Sequence, residues 1–375
     1  MSFVSYYIRK TKNTIFKIAF LLFSTLFLSV NAQHGEPVVV SDSITAKEGH
    51  SAEKTGKFNA NEMILEHISD SYDWHFWGDG EHAVSLHLPV ILYSDKGLEC
   101  FSSGKFEHGH VAYQGNYNYK IIHNKIKVVD ADGAIIEADT KKIYDFSITK
   151  NVASLLVVVF LILILFLPFG KAYTKAGIAA PKGFRSFVEP LIVMIRDEIA
   201  IPNMGPKYAP FMPFLLTLFF FILLNNMLGL IPFFPGGANV SGNIAFTMVL
   251  SVITFIIVNV NGKKTYWAHI FKPHVPVWMY PLMIPVEIIG IFSKPFALMI
   301  RLFANMTGGH ILALSLVSLI FIFKSLALAA VAVPFSVFVG MIELLVAFLQ
   351  AFIFTMLASL FIGMAIAEPE TEEHH

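Results

Sequence analysis

Two apolar segments spanning residues 282–366 constrain this chain more than any other feature, since each is about twice as long as a bilayer requires and they meet at Lys324-Ser325. A membrane helix needs about 20 apolar residues, whereas these exceed ~40 each. A mismatch of that size is beyond the ordinary ~20° tilt, so the pair is expected as a steeply inclined hairpin that wraps something. Pro295 and Pro334 offer places to bend.

The hairpin carries polar side chains that hydrocarbon does not tolerate without reason: Glu287, Lys294, Arg301, Asn305, His310, Glu343 and Gln350. A lone cation at bilayer depth costs at least ~2.5–3.5 kcal/mol, so Arg301 is expected to face a cavity or a partner. In an antiparallel hairpin, residues at one height share a common midpoint in sequence. The pairs Arg301/Gln350 and His310/Glu343 both centre at about 326, on the polar break. One register therefore places Arg301 near Gln350 and His310 near Glu343. Nine residues of helix rotate by about 180° and rise ~13.5 Å, so Arg301 and His310 point to opposite sides. Glu287, Asn305 and Gly308 share the Arg301 side, and Glu343 and Gln350, seven apart, share a face. A permanent cation on one side and a titratable His/Glu couple on the other suit proton handling better than the packing role that buried polar groups also serve.

Upstream, further apolar segments cover about 152–170, 210–234 and 244–260, which with the hairpin makes five spans. The predicted fold is an all-α polytopic membrane protein of five membrane helices, preceded by a small strand-rich exported domain. Between the first two spans, residues 184–199 are amphipathic and fit a helix on the membrane surface. Loops 171–209 and 261–281 hold six and three Lys/Arg, against none in 235–243. The basic loops are thus cytoplasmic, the mature N-terminus periplasmic and the C-terminus cytoplasmic.

Residues 1–32 read as a signal peptide: basic residues precede an apolar run from Ile18 to Val30, with Val30-Asn31-Ala32 as the cleavage site, and the run is short for the competing reading, an uncleaved anchor helix. Residues 33–150 form the exported accessory domain, 151–367 the membrane domain and 368–375 an acidic tail. Within the accessory domain, 33–60 are polar and flexible, and 61–70 form an amphipathic helix. Between Ala83 and Val129, stretches such as AVSLHLPVIL and YKIIHNKIKVV predict short strands. Its histidines His75, His82, His87, His108 and His110 match no specific ligand spacing, so solvated histidines are favoured over a metal site. The single Cys100 excludes an intramolecular disulfide, and zero net charge argues against nucleic acid as a partner.

The runs RLFANMTGGH (301–310), SKP (293–295), ELLVAFLQAFIF (343–354) and NNMLGLIP (225–232) resemble subunit a of the F-type rotary ATP synthases, over about 145–366. The resemblance does not extend to residues 33–144, which look like an insertion. It implies a non-catalytic, cofactor-free stator subunit of the cell inner membrane, surrounded by lipid and partnered by the c-ring and the peripheral-stalk b subunits, that supplies two offset aqueous half-channels. Arg301 matches the arginine that forces the passing c-ring carboxylate to deprotonate. Asn305 and Gln350 match its polar neighbours, and Glu287 matches an acidic position on the cytoplasmic side. His310 and Glu343 fall where many bacterial members carry Glu and His in the reverse order. Many members also carry an acid where this chain has Gly229. A stand-alone cation/proton antiporter is the alternative, disfavoured because the chain lacks an inverted repeat with paired broken helices. A structural scaffold would instead tolerate apolar residues at 310 and 343.

Overall fold

The computed structural model describes residues 64, 68–77, 84–109, 111–122, 124–130, 132–176, 183–231, 236–273 and 275–368. The expected signal peptide, the segment 33–60, most of the helix at 61–70 and the acidic tail beyond Glu368 lie outside them. So do His82 and His110, and the side chains of His75 and His108.

The N-terminal part is built of short antiparallel strands, as the alternating stretches predict. Strands β1 (Asp73–Trp77) and β2 (Val84–His87) pair together. Strand β3 (Pro89–Ser94) lies between β4 (Gly97–Ser102) and β8 (Tyr144–Asp145). Strands β5 (Tyr113–Gln114), β6 (Asn118–Ile122) and β7 (Lys125–Val128) form a third sheet. Alternation sends Val90 and Leu92 inward to Tyr72, Phe101, Phe106 and Tyr119, which fill one small core. Burial and the hydrogen bond to Glu99 raise the pKa of the Tyr119 phenol and hold it neutral in that core. His87 is paired with Asp73 at 3.0 Å.

The membrane part begins with α1 (Lys150–Ala176). Helix α2 (Phe184–Met194) continues through a π-helical turn, Ile195–Ala200, into a last turn at Ile201–Met204. Next come α3 (Met212–Leu230), α4 (Ile244–Val260), α5 (Lys264–Phe271), α6 (Tyr280–Phe323) and α7 (Leu326–Ile366). Among the described residues four helices are long and apolar enough to cross a membrane; α4 and α5, bent by 101°, make a fifth if taken as one span. At ~1.5 Å per residue α6 and α7 run ~66 and ~62 Å, so in a ~30 Å hydrocarbon layer neither can stand upright.

Helix α3 is apolar all round and correspondingly central: Leu215, Phe219, Phe221 and Ile222 are fully buried. Helix α6 instead buries one stripe, Leu298, Leu302 and Met306, at intervals of four residues. Its turn into α7 falls where the polar break predicts, with Lys324 in the left-handed conformation (φ 48°) ending α6. The amphipathic segment after α1 turns its apolar face to the bundle, with Ile195, Ile199 and Ala200 wholly buried, while Phe184 and Phe187 stay exposed. Widening to a π-turn frees backbone carbonyls; that of Ile199 accepts from Asn203 Nδ2 at 2.8 Å and from Ser359 Oγ of α7 at 3.2 Å. After α7, Glu368 accepts from Lys207 and Lys263, which hold its carboxyl down at about 2.

Candidate functional site

Helix α6 lays three polar zones along its length. Arg301 lies between the other two, exposed and with no hydrogen bond or ion pair among the described residues. Its neighbours on the exposed stripe are Ala297, Ala304, Asn305 and Gly308, mostly small residues that let another helix approach closely. The sharing of one face by Arg301, Asn305 and Gly308 follows the 3.6-residue period, as expected. Glu287, placed on that side by the same argument, is only 28% exposed and faces His269 at 4.0 Å.

The hairpin register agrees with the sequence argument to within one turn. Asn305 Nδ2 donates to Gln350 Oε1 at 2.8 Å, and a side chain at Gly309 would meet Glu343 Oε1 at 2.7 Å. Gln350 thus takes Asn305 as its hydrogen-bond partner, one turn beyond Arg301. A common midpoint fixes the height of two residues but not the rotation of their helices. His310 and Glu343 come to the same level without a hydrogen bond between them: His310 Nε2, Glu343 Oε1 and Gln350 Nε2 are buried and have no hydrogen-bond partner among the described residues. Three such atoms in an apolar bundle are costly, at roughly 1–3 kcal/mol each if left dry, and they mark a place built for water or a transferred proton.

Beside His310 lies a cluster contributed by α3 and the loop that follows it. Asn226 Nδ2 donates to the Ala347 carbonyl of α7 at 3.2 Å, and Ser241 Oγ donates to Asn226 Oδ1 at 2.5 Å. Gly229 packs here: a Cβ would stand 3.3 Å from the Ala238 carbonyl oxygen and 3.9 Å from His310 Nε2. Position 229 therefore looks directly at the imidazole. Ser241 and Asn239 carry no signal of this placement in the sequence, because a polar residue in a short loop reads as turn chemistry.

The third zone is a recess between α4, α5 and α6, lined in part by Ser251, Thr254, Asn259, Tyr266 and Lys294. Lys294 sits over the Phe361 ring at 5.5 Å. Lys294 precedes Arg301 by seven residues and His310 follows it by nine, so the two polar zones lie ~10 and ~13 Å from the arginine in opposite axial directions.

The family model described as "ATP synthase A chain" matches residues 152–363, and a second, "Domain of unknown function (DUF8433)", matches 63–146. Among curated proteins, the ATP synthase subunit a of Chlorobium phaeobacteroides is 48% identical over 239 residues, which cover 62% of this chain and 68% of that protein. That of Chloroherpeton thalassium is 44% identical over 238 residues, 62% of this chain and 71% of the relative. That of Myxococcus xanthus is 43% identical over 239 residues, covering 62% and 77%.

Proposed function

The chain belongs to the ATP synthase A chain family, and from that premise we propose how its side chains carry protons past a rotating partner. It is a multi-pass membrane protein and the proton-translocating stator subunit of an F-type ATP synthase; the antiporter alternative is not favoured. The observation that carries the residue assignment is Arg301, exposed and without a partner among the described residues, on a stripe of small residues between two polar zones.

The partner on that stripe is the c-ring. A ring carboxylate that arrives protonated meets a guanidinium that stays charged under all relevant conditions, and it releases its proton to pair with it. The same cation blocks a proton from running directly between the zones. The zone of His310, Glu343, Asn226 and Ser241 serves the outer half-channel, since its loop bears no basic residue. The recess with Lys294, together with Glu287, serves the inner one. His310 and Glu343 exchange protons with water on the outer side, while Asn305 and Gln350, bonded to one another, hold the hairpin in register around Arg301. The subunit performs no covalent chemistry and needs no cofactor or metal. The peripheral-stalk b subunits and lipid cover its remaining faces, and it sits in the cell inner membrane with residues 33–150 outside.

Cysteine crosslinking tests the assignment of the stripe. In a Cys100→Ser chain, Gly308→Cys is expected to form a disulfide with a cysteine beside the c-subunit carboxylate, whereas Ile231→Cys is not. Failure at position 308 in an assembled complex would remove this face as the rotor contact.

A further inference from the structure

Loops ordinarily lie at the surface, because buried backbone must find partners. In the connection between α3 and α4, four successive residues are buried instead: Ala238, Asn239, Val240 and Ser241 are at most 6% exposed. Part of the cover is α6, whose Thr307 Oγ1 donates to the Gly242 carbonyl at 3.3 Å. The N-terminal domain contributes as well. Trp74, itself 3% exposed, donates its indole N–H to the Gly236 carbonyl at 3.0 Å.

Two further ties fasten the domain to the same end of the bundle. Asp70 accepts from the backbone N–H of Asn151 at 3.0 Å, in the first turn of α1, where a carboxylate also meets the positive end of the helix. Lys150 N–H donates to the Ser71 carbonyl at 2.8 Å. The Lys150 side chain is buried at this junction. The inner side of loop 236–243 meanwhile walls the polar cluster, through Ser241 on Asn226 and Ala238 against Gly229. Asn239 Nδ2 is buried there without a hydrogen-bond partner among the described residues.

We propose that the N-terminal domain forms the outer wall of the proton path, with Trp74 as a positioning residue that acts through loop 236–243 on Asn226 and His310. Protons and water reach His310 along the seam between domain and loop, and larger solutes do not. The inference rests on reading the His310 zone as a half-channel, and it assigns that channel a wall from a domain outside the ATP synthase A chain match.

The test uses the full chain in the assembled ATP synthase, with Cys100→Ser and Asn239→Cys as reporter. A small methanethiosulfonate is expected to label position 239, and a bulky biotin maleimide to do so at least about tenfold more slowly. Trp74→Phe keeps the ring but removes the N–H; it is expected to raise the bulky reagent's rate about fivefold, the scale of one lost hydrogen bond, and Trp74→Ala further. Equal rates for the two reagents in the Trp74 chain would overturn the proposal. So would rates unmoved by either substitution, or no labelling by the small reagent. Trp74→Phe carries the test if Trp74→Ala does not assemble. Labelling reads access and requires no pumping, so ATP-driven acidification measured on the same vesicles separates failure of the wall from failure of the half-channel reading.

Discussion

Gly309→Ala isolates the carboxylate of Glu343 from the rest of the hairpin. An added Cβ would stand 2.7 Å from Glu343 Oε1 and 3.2 Å from its Cδ, with no backbone in the way. Ordinary van der Waals contact begins at 3.4 Å, so the carboxylate must retreat by roughly 0.7 Å or turn from its rotamer, at ~0.5–1.5 kcal/mol. If that cost falls on the proton-transfer step, flux drops about 2- to 12-fold, since 1.36 kcal/mol is tenfold in rate. Alanine gains ~1 kcal/mol over glycine inside a helix, so the hairpin itself is not weakened. Gly290→Ala makes the same gain on the same helix where nothing lies within 4 Å, and serves as the control. The assay is ATP-driven acidification of inverted vesicles, normalised to ATP hydrolysis and to the amount of subunit that co-purifies. Unchanged pumping by Gly309→Ala, or an equal loss in Gly290→Ala, would refute the placing of Glu343 in the path.

Three other outcomes follow from the same geometry. Asn305→Leu leaves the Gln350 amide oxygen without its donor and is expected to destabilise by ~1–3 kcal/mol, while Asn305→Leu with Gln350→Leu restores most of it; a double-mutant cycle on thermal unfolding of the complex reads the difference. Gly363→Ala brings a Cβ to 2.1 Å from the Asn203 carbonyl oxygen, a backbone atom that cannot swing away, so α7 must shift, and a loss of at least ~1–3 kcal/mol is expected in the same measurement. The Glu368 carboxyl is depressed from 4.5 to about 2 by hydrogen bonds from Lys207 and Lys263. A lowered pKa gives stability that is complete above the unfolded value and is lost as the pH falls through the folded one. The anchoring of the C-terminus should therefore hold above pH ~4.5 and fade toward pH ~2, with protease cleavage near residue 368 rising over that range and Glu368→Gln abolishing the pH dependence.

Much of the hairpin was legible because its constraints are one-dimensional. Apolar length set the two long helices, the break at Lys324-Ser325 set the turn, and the 3.6-residue period put Asn305 and Gly308 beside Arg301. Rotation about the helix axis leaves no mark in residue numbers, so the register alone does not say that Asn305 is the residue that bonds Gln350. The segment 184–204 shows a related limit. An apolar stripe states that something apolar covers it, and lipid and the α3–α7 surface satisfy it equally. Loop 236–243 was the least legible. Trp74, far away in sequence, bonds its Gly236 carbonyl and Thr307 its Gly242 carbonyl, and no local pattern encodes either contact.

The central claim is that the exposed cation of α6 couples proton movement to the rotor, and Arg301→Ala tests it most directly. The measurement is ATP-driven acidification of inverted vesicles in parallel with ATP hydrolysis, on complexes whose assembly is verified by co-purification. The account predicts an assembled complex in which pumping is abolished. Normal pumping by assembled Arg301→Ala complexes would make the arginine a structural residue and contradict the account.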